Sequence, residues 1–67
     1  MEHRIKELRS RCGWTQEQLS EKLGVSRQTV ISIENGRYNP SLELAYNIAQ
    51  LFRLSIEEVF IFEKGSD

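Results

Sequence analysis

The sequence contains little that could stabilise a small fold covalently or through a metal. Its 67 residues include one cysteine, one histidine and one proline. Because Cys12 is alone, a disulfide within the chain is excluded, and with His3 it cannot complete a zinc site. We interpret Cys12 as a small buried hydrophobe and His3 as a surface residue without a role. Residues 1–67 are predicted to form one domain.

Several classes of protein are disfavoured by missing patterns. No apolar run approaches the ~20 residues of a membrane span, and no signal peptide is recognisable, so a cytoplasmic protein without membrane contact is expected. We find no nucleophile with a base, no paired carboxylates in a plausible pocket and no phosphate-binding glycine loop. The chain is therefore not expected to be an enzyme. No metal, cofactor or small-molecule ligand is expected either.

Charge is nearly balanced overall but unevenly distributed. The formal net charge of −1 argues against indiscriminate binding to nucleic acid. Residues 1–40 carry seven basic and five acidic side chains, whereas residues 41–67 carry two basic and five acidic ones. The first part is the one suited to face phosphate.

Apolar residues recur every three or four positions along most of the chain, which predicts helices. Thr15 with Gln18, and Ser55 with Glu58, form the capping-box pattern of a helix start. We therefore expect an all-α fold in which five helices cover residues 2–12, 16–23, 27–35, 42–53 and 56–60. The apolar, β-prone residues 60–63 are a candidate short strand.

Residues 16–35 have the pattern of a helix-turn-helix motif. Gly24 lies at the turn, where a positive φ is cheapest for glycine. The small Ser20 lies where the two helices approach closely. Apolar residues occupy the structural positions of the motif: Leu19, Leu23, Val25, Val30 and Ile33. The second helix of such a motif is the one that enters the DNA major groove.

The stretch WTQEQLSEKLGVSRQTVISIENGRYNPSLELAYNIA resembles the phage repressor and Cro-type (XRE) family of helix-turn-helix regulators. The blocks TQEQL, SRQT, IENG and NPSLELA carry the resemblance, which spans roughly residues 4–60. It implies a five-helix, lambda-repressor-like domain that binds a double-stranded DNA operator as a homodimer and regulates transcription, usually as a repressor. The family usually has a polar residue at Ile31 and often a lysine at Ser32, so the operator need not match a relative's.

The outer face of the third helix is predicted to contact bases through Arg27, Gln28, Thr29, Ile31 and Ser32. Arginine can bind guanine and glutamine can bind adenine with two hydrogen bonds each, and isoleucine can contact a thymine methyl. Alternatively, Arg27 and Gln28 are solvated surface, Ser32 is idle and Ile31 packs on protein.

Phosphates are predicted to be contacted by Arg9, Gln16, Asn35, Arg37, Tyr38 and Asn39. The family resemblance assigns this role to Gln16, and the four residues after the third helix suit neighbouring phosphates. Asn35 and Arg37 have the alternative of serving only the helix end. Glu34 is expected to pair within the protein, because an acid facing phosphate would repel it. Trp14 is expected in the core.

Residues 54–63 are the predicted dimerisation element, because three consecutive apolar residues exceed the need of one small core. The proposed interface residues are Leu54, Ile56, Val59, Phe60, Ile61 and Phe62. The alternative is that both phenylalanines close the monomer's own core. A minimal dimeric member of the family joins its N-terminal segment to the tail in a β-element, and whether residues 1–3 do so is left open.

Two functions from different classes remain at this stage. The first is a dimeric operator-binding regulator of transcription. The alternative is an antitoxin-like module that binds a partner protein and autoregulates through DNA. The alternative is less favoured, because toxin-binding parts are usually extra segments outside this motif.

Overall fold

A computed structural model describes residues 2–61. The five predicted helices are present, and a two-stranded sheet is added to them. In chain order the elements are β1 (Glu2–His3), α1 (Ile5–Cys12), α2 (Gln16–Leu23), α3 (Arg27–Glu34), α4 (Leu42–Leu51), α5 (Ile56–Val59) and β2 (Phe60–Ile61). Within residues 2–61, no helix has the length and apolarity needed to cross a membrane.

The helix starts are set by the side chains that the sequence suggested. In the first capping box, the Gln18 amide donates to Thr15 Oγ1 at 3.0 Å, and the Thr15 amide donates to Gln18 Oε1 at 2.9 Å. Ser55 and Glu58 form the second box before α5. Each box satisfies backbone N–H groups that have no partner within the helix, which fixes where the helix begins.

The first helix begins later than predicted. Residues 2 and 3 are a strand, β1, that pairs antiparallel with β2, placing Glu2 opposite Ile61 and His3 opposite Phe60. The prediction of helix from residue 2 is therefore wrong, because backbone pairing with the distant strand replaces the first helical turn. This pairing also answers whether the N-terminal segment joins the tail.

The core lies where the helices and the short sheet meet. Its buried apolar residues are Ile5, Leu8, Leu19, Val30, Ile33, Ala45, Ile48, Ala49, Val59 and Phe60. Trp14 packs against this core, as expected, and stacks on Phe52 with ring centroids 5.7 Å apart. One expectation fails: Cys12 is exposed, because the buried stripe of α1 ends at Leu8. Leu42 at the start of α4 is 78% exposed.

The turn between α2 and α3 brings the two helices of the motif together. Gly24 adopts φ 73°, and the Val25 amide donates to the Ser20 carbonyl at 3.0 Å, which closes α2. Ser20 is buried, and its hydroxyl donates to the Glu17 carbonyl at 2.7 Å, so the small polar side chain is satisfied within its own helix. These contacts end α2 before α3 begins at Arg27.

One residue after α4 has a backbone conformation that suits glycine better. Arg53 has φ 59° and follows the helix end, where the Leu54 amide donates to the Ala49 carbonyl at 2.9 Å. A left-handed conformation costs a residue with a Cβ roughly 1–2 kcal/mol. The side chain itself is exposed.

Replacing Arg53 with glycine is expected to stabilise the fold. The gain should be about 0.5–1 kcal/mol, because relief of strain exceeds the larger conformational entropy that glycine loses on folding. Urea unfolding followed by circular dichroism measures it. Arg53→Ala is the control, since it removes the side chain but keeps the Cβ, and it should give no gain. Equal stability of both variants would contradict this explanation.

Candidate nucleic-acid interface

The third helix turns one side to the core and the other outward. Val30 and Ile33 are buried, and they anchor α3 on the protein. Arg27 and Gln28 are exposed on the outer side, as a role in base contact requires. The remaining predicted base-contact residues, Thr29, Ile31 and Ser32, are half-buried.

The start of α3 is capped by a serine. Ser26 Oγ accepts a hydrogen bond from the Thr29 amide at 3.1 Å and lies 2.9 Å from Thr29 Oγ1. The Thr29 hydroxyl is thus shared with the cap, which leaves it less available to a base than the side chains of Arg27 and Gln28. The cap holds the first turn of α3 in place without using either of them.

An open hollow of about 210 Å³ lies along the outer side of α3. Ser26, Gln28, Thr29, Ser32 and Tyr38 line it. Three predicted base-contact residues are therefore brought together with Tyr38, which the sequence assigned to phosphate. Each of these side chains carries a hydroxyl or an amide group, which can both donate and accept hydrogen bonds.

A second hollow, of about 300 Å³, lies where α2 and α3 begin. Thr15, Gln16, Glu17 and Arg27 line it. Backbone N–H groups at helix starts attract anions, and the Arg27 guanidinium adds positive charge. Glu17 opposes this with a carboxylate. The hollow therefore places Gln16, a predicted phosphate contact, beside Arg27, a predicted base contact.

A largely buried ion pair lies behind these surfaces. Arg9 Nε donates to Glu34 Oε2 at 2.7 Å, and Arg9 Nη2 donates to Glu34 Oε1 at 3.3 Å. The side chains are 13% and 3% exposed, respectively. Glu34 Oε1 also accepts from Gln16 Nε2 at 3.0 Å, and Arg9 Nη1 donates to the Trp14 carbonyl at 2.9 Å. The network joins α1, the start of α2 and the end of α3.

This network confirms that Glu34 pairs within the protein and changes the interpretation of Arg9. All three side-chain nitrogens of Arg9 donate hydrogen bonds to oxygen atoms of the protein. We therefore leave Arg9 out of the phosphate contacts, because it would have to abandon a nearly buried carboxylate to reach DNA. It acts instead behind Gln16, whose amide orientation is set by Glu34.

The four residues after α3 that were assigned to phosphate are all exposed. They are Asn35, Arg37, Tyr38 and Asn39. The turn that presents them is closed by the Arg37 amide, which donates to the Ser32 carbonyl at 2.9 Å, and by Gly36 at φ 74°. Their position next to α3 is consistent with contacts to the DNA backbone on either side of the major groove.

The predicted dimerisation element divides into an inner and an outer part. Val59 and Phe60 are 0% and 1% exposed and belong to the core of their own chain, so we leave them out of the interface. Leu54 and Ile56 are half-buried, and Ile61 is 45% exposed. Phe62 lies outside the described residues. Alternation along β2 explains the division, since Phe60 points inward and Ile61 outward.

His3 has contacts that the sequence did not predict. Its Nε2–H donates to the Ile33 carbonyl at 2.7 Å, and its Nδ1 accepts from the Ile5 amide at 3.3 Å. The expectation of an idle surface residue is therefore wrong. No periodic or motif signal marks this contact, because it joins residues 30 positions apart through a backbone atom.

Comparison with known proteins gives a consistent set of similarities. The helix-turn-helix family HTH_3 matches residues 5–59. An HTH-type transcriptional regulator of Archaeoglobus fulgidus is 52% identical over 63 residues, covering 94% of this chain and 90% of the relative. The HTH-type transcriptional regulator YgzD of Bacillus subtilis is 50% identical, covering 96% of this chain and 97% of the relative.

Less similar proteins share the fold over part of their length. A chain of the SinR/SinI protein complex superposes with a TM-score of 0.73 at 31% identity, over 81% of this chain and 53% of that one. A competence pilus inhibition repressor of Acinetobacter baylyi is 30% identical over 94% of this chain and 57% of the relative. The antitoxin HipB of Escherichia coli is 36% identical over 78% of this chain and 55% of the relative. This chain thus spans little more than half the length of these three.

Breaking the Arg9–Glu34 pair is expected to destabilise the fold strongly. Glu34→Gln leaves the Arg9 guanidinium largely buried without a counter-charge, a loss of about 3–5 kcal/mol in comparable cases. The midpoint of urea unfolding should fall sharply, or cooperative unfolding should disappear.

Glu7→Gln is the matched control for this variant. It removes the same charge from an exposed pair with Arg11, whose side chains are 67% and 49% exposed. Such pairs contribute roughly 0–1 kcal/mol. Equal losses in the two variants would contradict the importance assigned to the buried pair.

Proposed function

Since the chain belongs to the helix-turn-helix family HTH_3 and is an HTH-type transcriptional regulator, we propose that it binds a specific DNA operator as a homodimer and represses transcription. The observation that carries this proposal is the arrangement of α3. Two buried apolar residues hold it to the core, while Arg27 and Gln28 are exposed and each lines an open hollow. This is the presentation that a recognition helix needs in the major groove.

The contacts would divide by chemistry. Arg27 and Gln28 supply the two side chains able to form paired hydrogen bonds with a base, and Ile31 and Ser32 extend the same face. Gln16, Arg37, Tyr38, Asn39 and Asn35 surround that face and suit the phosphates, which set affinity and position without carrying sequence information. Repression is proposed because one relative is named a repressor.

A second copy would add both stability and specificity. A domain of this size buries only about 60% of its unfolded surface. Each strand of the two-stranded sheet has one edge unpaired within residues 2–61, and Ile61 on β2 presents apolar surface beside it. A two-fold pairing around Ile61, Leu54 and Ile56 would bury that surface and place two recognition helices about 34 Å apart, one turn of DNA.

An antitoxin-like module is the second candidate, favoured by the similarity to antitoxin HipB. In that case the chain would bind a partner protein and use DNA to regulate its own synthesis. Purification of the tagged chain from its native host distinguishes the two. A partner protein present in equal amount would support the second candidate, and the chain alone with DNA would support the first.

Selection of bound duplexes from a random library tests the main proposal. The expected result is a palindromic motif with half-sites about one helical turn apart. A single half-site would overturn the homodimer. No enriched motif, with only weak salt-sensitive binding, would overturn specific operator binding altogether.

Gln28→Ala is expected to change sequence preference. The loss of a paired contact to a base should weaken binding to the selected duplex by about 1–3 kcal/mol and relax preference at one base pair in each half-site. Arg37→Ala is the comparison, since loss of a phosphate contact should weaken all duplexes alike and lower the salt slope by about one. Repeating the selection with each variant measures the difference. An unchanged motif with Gln28→Ala would contradict direct readout by this residue.

Ile61→Thr is expected to shift the chain toward monomer. Threonine keeps the β-branched shape that suits a strand but adds a hydroxyl to the proposed interface. Sedimentation velocity at tens of micromolar measures the shift. Leu42→Gln is the control, because Leu42 is the more exposed of the two and lies at the opposite end of α4 from α5. Equal behaviour of the two variants would contradict an interface centred on Ile61.

A further inference from the structure

The imidazole of His3 bridges two elements that are distant in sequence. One ring nitrogen contacts the Ile33 carbonyl in the last turn of α3, and the other contacts the Ile5 amide at the start of α1. The His3 backbone is in turn paired with Phe60 in the two-stranded sheet. The side chain therefore connects the sheet with the C-terminal end of the helix that carries the predicted base contacts.

The two hydrogen bonds require one form of the ring. Since a carbonyl can only accept, Nε2 carries the proton that is donated to Ile33. Since a backbone amide can only donate, Nδ1 is unprotonated toward Ile5. The ring of Phe60 lies edge-on to the imidazole at 6.3 Å between centroids, which restricts rotation of His3. The neutral Nε2–H tautomer is thus the form that fits.

The contacted turn governs the position of functional side chains on both sides of Ile33. The preceding residue, Ser32, lines the hollow along α3, and its carbonyl accepts from the Arg37 amide. The following residue, Glu34, holds the amide of Gln16. A displacement of this turn would move a predicted base contact and two predicted phosphate contacts together.

We propose that His3 is a positioning residue for DNA recognition, which fixes the C-terminal turn of α3 through its bond to the Ile33 carbonyl. This inference rests on the proposed function, since it concerns how well α3 fits an operator. It assigns no contact between His3 and DNA. The bond would also transmit to α3 any change in the sheet that contains Ile61, because the His3 backbone lies in that sheet and its side chain bonds to α3.

Two substitutions separate the two hydrogen bonds of His3. In His3→Gln the side-chain amide nitrogen takes the place of Nε2 and can still donate to Ile33. In His3→Asn the shorter side chain can still accept from the Ile5 amide, as asparagine does in turns, but does not reach Ile33. Binding of both variants to the library-selected duplex and to a random-sequence duplex is measured at a temperature where both are folded.

His3→Asn is expected to weaken binding to the selected duplex about three- to tenfold, the effect of one lost hydrogen bond, and to leave random-sequence binding unchanged. His3→Gln should bind like the unmodified chain. Equal binding of the two variants to the selected duplex would overturn the proposal. So would an equal loss on both duplexes with His3→Asn, because that would indicate a general effect on the fold.

Hydrogen exchange in the protein without DNA keeps this test separate from the proposed function. The amides of Asn35, Gly36 and Arg37 should exchange faster in His3→Asn than in the unmodified chain. In His3→Gln their exchange rates should not change. The absence of any selected duplex would defeat the proposed function, and exchange would still decide whether His3 holds the turn. Since the chain has a single histidine, its ring nitrogen signals need no assignment to a residue. Their couplings to the ring carbon protons distinguish Nδ1 from Nε2, and any form other than the Nε2–H tautomer would overturn the proposal.

Discussion

The position of α3, the proposed recognition helix, depends on the ion pair between Arg9 and Glu34. A buried pair is weak evidence for stability, because removing two charges from water can cost as much as their attraction returns. Its geometry is more informative. The guanidinium binds both carboxylate oxygens and the Trp14 carbonyl, and the same carboxylate accepts from the Gln16 amide. An apolar pair of equal volume would fill the space but would leave Gln16 free to rotate. The pair therefore sets the direction of a side chain on the candidate DNA-binding surface.

Polar contacts fix α3 at both ends, because the apolar core beneath it is small. Only Val30 and Ile33 of this helix are buried and apolar. Two such residues prevent the helix from leaving the core, but they resist rotation and sliding less than hydrogen bonds with defined directions do. The Ser26 cap holds the first turn, and His3 with Glu34 hold the last. Side chains on the outer face of α3 can then be substituted without changing the position of the helix.

The sequence predicted the local features well and the long-range contacts poorly. Helical periods and two capping boxes located the five helices, because those signals lie within a few residues of each other. No period indicates the strand at residues 2 and 3, so the sequence predicted a helix from residue 2 and left pairing of this segment with the tail open. Arg9 was assigned to DNA because nothing local indicates that it meets Glu34, 25 residues away. Val59 and Phe60 were assigned to an interface because three consecutive apolar residues do not reveal which of them point inward.

The charge of the candidate surface depends more on the pairing of acidic residues than on an excess of basic ones. Glu34 is neutralised by Arg9, and Glu7 by Arg11 and Arg4, so several charges of the first forty residues cancel. Of the described arginines, Arg27 and Arg37 are exposed on or beside α3. Each neutralised phosphate adds about 0.9 to the salt dependence of binding, so two arginines per copy give little affinity alone. Binding by one copy would therefore be weak on any sequence. In the proposed homodimer the number of such contacts doubles, and occupancy of an operator would then depend on base contacts and on dimerisation together.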